Sequence, residues 1–96
     1  MINITWLDGY APVQAEGTFF GVPFYFRARG NYWAVTTAKD SESHNVFDGT
    51  MKRGGFFIEK KYSDNEFDAS WMPHEDALCF ITEAYKAFKA ERGQHD

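Results

Sequence analysis

Polar and apolar residues alternate with a period of two through most of the first two-thirds of the chain. Near its end the period becomes that of a helix. Ile2 to Leu7 reads as an opening strand, with Ile2, Ile4 and Trp6 on one parity. Asp8-Gly9 marks a turn. Val13 to Phe19 follows as a second strand, with Val13, Ala15 and Gly17 on one face and Gln14, Glu16 and Thr18 on the other. Phe24 to Arg29 alternates most clearly: Phe24, Phe26 and Ala28 oppose Tyr25, Arg27 and Arg29. Gly21 and Gly30-Asn31 supply the reversals on either side. Tyr32 to Thr37 returns as a strand, and Phe56 to Tyr62 forms another.

Between these last two lies a polar stretch, Ala38 to Gly55, with no clear period. It reads as a long loop whose middle is tacked down by Val46 and Phe47. Loops of this length are uncommon in small domains and often carry function. Pro73 to Arg92 is the helix. Proline suits the first helical position. Glu75 and Asp76 complement the positive end of the dipole, and Lys86, Lys89 and Arg92 the negative end. Gly93 is the natural stop. Ala77, Leu78, Ile81, Ala84, Tyr85 and Phe88 make an apolar stripe at helical spacing.

The expected fold class is therefore α+β: an antiparallel sheet of four or five strands in a meander, with one C-terminal helix packed on one face. Residues 1–96 make a single domain. One helix covers one sheet face, where Phe24, Phe26, Trp33 and Val35 are expected to meet its stripe. The other face carries Gln14, Glu16, Tyr25, Arg27, Arg29 and Tyr32.

Composition sharpens this picture. Aromatic residues are 19 % of the chain, large apolar surfaces that let a small domain build a core. A formal net charge of −4 disfavours general affinity for phosphate backbones. Cys79 is the one cysteine, so no internal disulfide forms. No basic-then-apolar leader is visible at the start, and no apolar run approaches the roughly 20 residues that span a bilayer. These features lead us to expect a cytoplasmic protein with no membrane partner.

Two residue groups are candidates for binding. Asp64, Glu66, Asp68, Glu75 and Asp76 lie in one stretch free of lysine and arginine, interleaved with Phe67, Trp71 and Met72. Acids with exposed rings suit a basic partner surface, although helix starts attract acids anyway. Tyr25, Arg27, Arg29 and Tyr32 form the second group. They suit a protein partner or single-stranded nucleic acid. Alternatively, the arginines pair with Glu16 or Glu59 across strands while their stems cover the rings.

No catalytic set and no cofactor are expected. His44, His74 and His95 are scattered, and "HED" at His74 to Asp76 lacks the spacing of a metal site. Asp64, Glu66 and Asp68 lack the glycine and terminal acid of a calcium loop. Cys79 has no signature of a nucleophile, and no glycine-rich phosphate loop opens a helix.

The segment "VQAEGTFFGVPFYFRARGNYWAV", Val13 to Val35, together with the helix near Trp71 to Arg92, resembles small proteins of bacteria and their phages. The shared pattern is an EG–hairpin–"FYFRARG"–W core followed by an acidic-headed helix. The resemblance implies a mobile-element context in a bacterial host, which includes the anti-CRISPR inhibitors. The expectation is a non-enzymatic inhibitor or adaptor that binds a protein, such as a Cas subunit or another basic nucleic-acid-binding protein, and blocks its nucleic-acid surface. The alternative is a single-stranded nucleic-acid-binding module using the Tyr/Arg face. A homodimer that hides the uncovered face is a further expectation.

Overall fold

A computed structural model describes residues 1–38 and 55–92 of the chain. Its elements are β1 (Ile2–Asp8), β2 (Val13–Phe19), β3 (Val22–Arg29), β4 (Tyr32–Thr37), β5 (Phe57–Lys61), a 3₁₀ turn (Asp68–Trp71) and α1 (His74–Arg92). The five strands form one antiparallel sheet whose spatial order equals their chain order. The fold is thus the α+β meander that the alternation predicts. The expected loop from Ala38 to Gly55, with Val46 and Phe47, lies almost wholly outside the described residues.

Two tight hairpins fix the register. In the β2–β3 reversal Phe20 and Gly21 both take positive φ, +51° and +81°. That geometry matches the twist of the strands it joins. Glycine adopts it freely, but phenylalanine does not. Phe20 is held there by a backbone bond from its N–H to the Met1 carbonyl and by stacking on Tyr85. The β3–β4 reversal uses Gly30 at φ +65°, so that Arg29 faces Tyr32 directly.

One face of the sheet meets α1. Phe19, Phe24, Phe26, Ala28, Trp33 and Val35 are buried there with Ala77, Ile81, Ala84, Tyr85 and Phe88 of the helix. Phe19 packs against both Tyr85 and Phe88, and Trp33 stacks on Phe80 at 5.0 Å. At the rim, Lys60 of β5 and Glu83 of α1 form an ion pair at 2.7 Å.

Three local expectations are corrected. Trp6 does not share a face with Ile2 and Ile4. The register of β1 against β2 shifts between Ile4 and Trp6, which sends Leu7 inward and Trp6 to the open face. A bulge of this kind inverts the alternation beyond it. Leu78 is 42 % exposed rather than part of the core; Phe80 packs inward instead, against Trp33 and Tyr62. The stripe is centred on Ile81, Ala84 and Phe88, and Phe80 lies nearer that direction than Leu78. Pro73 precedes the helix rather than opening it, and its carbonyl accepts from the N–H groups of Asp76 and Ala77.

Candidate functional site

The meander sends every second connection to the same end of the sheet. The β1–β2 loop, the β3–β4 turn, the exit of β5, the 3₁₀ turn and the start of α1 all gather there. Backbone bonds weld them together. Ala11 N–H donates to the Ser70 carbonyl, Ala69 N–H to Gly30 and Tyr62 N–H to Asn31, while Gly30 N–H donates to the Ser70 hydroxyl at 2.8 Å. Ala69 and Met72 are buried under this weld. Because the 3₁₀ turn is pinned through both its backbone and Ser70, the rings it carries are held in place.

Those rings point outward. Trp71 is 62 % exposed, Phe67 64 % and Tyr10 51 %. Tyr10 lies between Trp71 and His74 in a near-parallel stack, with centroids 5.7 and 5.0 Å away. A ring nitrogen of His74, Nε2, sits 3.1 Å from the Gly9 carbonyl and ties the ladder to the β1–β2 loop. Tyr10 lies 61 residues before Trp71 in the chain, so no local pattern marks it as a member of this group.

The five acids of the sequence reading occupy this same end, but in different roles. Asp76 is half-buried and accepts the Tyr62 hydroxyl at 2.9 Å. Burial raises the Tyr62 phenol above its ordinary pKa, with the Asp76 hydrogen bond and charge adding to the effect. Asp64 pairs with Lys61 at 2.7 Å, and Asp68 accepts the Ser63 hydroxyl. Glu66 and Glu75 are exposed. Side chains three apart in a 3₁₀ turn eclipse, so Asp68 shares the face of Trp71. The surface is thus acidic and aromatic, with Asp76 serving the fold beneath it.

The Tyr/Arg group lies on the open sheet face, as the alternation requires. Its members differ in access. Tyr25 is buried and donates to Gln14 Oε1 at 2.7 Å. Desolvation raises its phenol; the Arg27 charge opposes that shift and the Glu16 charge supports it. Arg29 and Tyr32 are exposed, the latter by 49 %. Glu16, one expected partner of the arginines, instead accepts the indole N–H of Trp6. Among the described residues neither Arg27 nor Arg29 forms an ion pair.

Cys79 is exposed, and among the described residues no three of His, Cys, Asp and Glu gather closely enough to hold a metal ion. His44 and His95 lie outside the described residues. No helix among the described residues is long and apolar enough to cross a membrane. No family model, curated protein or solved structure matches the chain.

Proposed function

We propose that this chain is a non-enzymatic binding protein that seats a basic protein surface on its acidic, aromatic end. The observation that carries this reading is the Trp71–Tyr10–His74 ladder, exposed to solvent yet fixed by the welded loops around it. Large rings that need no ordering on association are effective anchors. Asp64, Glu66, Asp68 and Glu75 beside them favour a cationic partner and speed its approach. Basic surfaces of this kind are typical of proteins that hold nucleic acid, so occupation by this chain would block that function. The specific form of the proposal is an anti-CRISPR inhibitor directed at a Cas subunit, supported by the resemblance of the Val13–Val35 segment.

A single-stranded nucleic-acid binder on the Tyr/Arg face is less well supported. Such proteins stack successive bases on neighbouring rings, and here Tyr25 is buried and is separated from Tyr32 by the Arg27–Ala34 row.

The test is affinity capture from lysates of CRISPR-bearing bacteria, comparing the wild type with a Tyr10→Ala/Trp71→Ala variant and with charge reversal at Asp64, Glu66, Asp68 and Glu75. A basic nucleic-acid-binding protein held by the wild type and released by both variants is the expected result. Equal capture by all three would overturn the assigned surface. Interference assays in cells then examine the Cas assignment, which fails if expression of the protein protects no invading phage.

A further inference from the structure

On the open face, the register aligns Arg27, Ala34 and Glu59 across β3, β4 and β5, and places Arg29, Tyr32 and Lys61 in the next aligned row. Ala34 offers only a methyl group between the two long side chains of its row. The result is a hollow of about 230 Å³ lined, among the described residues, by Arg27, Arg29, Tyr32, Trp33, Ala34 and Glu59.

Three observations give this hollow a chemical preference. Arg27 and Arg29 stand on one side of the same strand, about 6.8 Å apart at the backbone, so both forks can converge on one small anion. The Nε–H of Arg27 is fully buried and has no hydrogen-bond partner. A buried donor without an acceptor is costly, so a ligand for which the Arg27 side chain turns its Nε–H into the hollow recovers that cost. Among the described residues, Glu16, which could have paired with the arginines, accepts from Trp6, and Lys61, which could have paired with Glu59, is held by Asp64. Among the described acids, Glu59 is the one aligned with Arg27, from the far side of Ala34.

We infer that this hollow binds a carboxylate that carries an adjacent N–H group, the chemistry of an amino acid or of a peptide C-terminus. The carboxylate accepts from the Arg27 and Arg29 forks, the planar pairing for which guanidinium is suited. The N–H is directed toward Glu59, which otherwise would repel the anion. Tyr32 covers the apolar remainder. A dianion such as phosphate meets the same arginines but brings more negative charge against Glu59 than a carboxylate does.

The experiment is an NMR titration of the folded protein with N-acetylglycine, N-acetylglycinamide and inorganic phosphate, following the backbone amides of Arg29, Tyr32 and Ala34. Saturable shifts with N-acetylglycine, at a Kd of order 1 mM for so small a probe, and none with the neutral amide, are expected. Arg29→Gln should weaken binding at least about tenfold, and Ala34→Leu should abolish it by filling the hollow; unchanged spectra elsewhere show that both variants remain folded. Glu59→Gln should narrow the preference for N-acetylglycine over phosphate. Absence of saturable shifts, equal response of the Arg29→Gln variant, or tighter binding of phosphate would each overturn the assignment. Binding of free glycine and of a short peptide then separates the two sources of the carboxylate.

Discussion

Tyr62 donates its phenolic hydrogen to Asp76 across 2.9 Å, joining the exit of β5 to the first turn of α1. Charge-assisted bonds of this type contribute about 1.5–3 kcal/mol when shielded. The pair is partly open to water, which lowers that figure. Asp76→Ala should therefore destabilise the protein by about 1–2 kcal/mol, including the lost interaction with the helix dipole. Glu75→Ala, exposed one residue earlier, loses only the dipole interaction and should cost under about 1 kcal/mol. Urea denaturation distinguishes the two.

The same bond makes a prediction about alkaline stability. Tyr25 and Tyr62 hold their protons above the ordinary tyrosine value of 10.0. Above that pH the unfolded chain releases protons that the native protein retains. Stability should be fully present below about pH 10 and fall as pH rises through the native values of these two groups. Absorbance titration at the phenolate band should show a late-ionising fraction in the native state, and that fraction should shrink in Tyr62→Phe.

Gly17 is required by contact rather than by φ. A Cβ at this position would lie 2.0 Å from the Asn3 carbonyl oxygen and 2.8 Å from the Phe24 ring. Gly17→Ala would force β1 away from β2 and should cost about 2–3 kcal/mol. Thermal unfolding measures it, and Thr18→Ala on the opposite face of the strand provides the comparison.

Phe80 and Leu78 provide a paired test of which helix face is buried. Phe80→Ala removes the partner of both Trp33 and Tyr62 and should destabilise by about 2–3 kcal/mol. Leu78→Ala should change stability by less than about 0.5 kcal/mol, because that side chain is largely in water.

The meander, its turns and the helix were legible because each rests on a local rule: alternation, a glycine at the reversal, a helical stripe. The exceptions share a cause. The β1 bulge reverses the side assigned to Trp6 without any mark in the sequence beyond a misplaced Leu7. The choice of Phe80 over Leu78 depends on where Trp33 and Tyr62 lie in space. For the candidate site, the acids and Trp71 could be read as a cluster because they are neighbours in the chain. Tyr10 could not, since the meander alone brings it beside Trp71. Asp76 and Glu75 look alike as letters, and only Tyr62 distinguishes them.

The order of strands in space equals their order along the chain. Each strand can thus dock on the one made just before it, and no early strand must wait for a distant mate. Such wiring favours rapid assembly and suits a chain that emerges progressively during synthesis. The helix comes last, so Phe19, Phe24 and Trp33 stay uncovered until Ile81 and Phe88 arrive. A nascent chain halted after β5 would present an aromatic sheet to the cell, a natural client for chaperones until α1 closes over it.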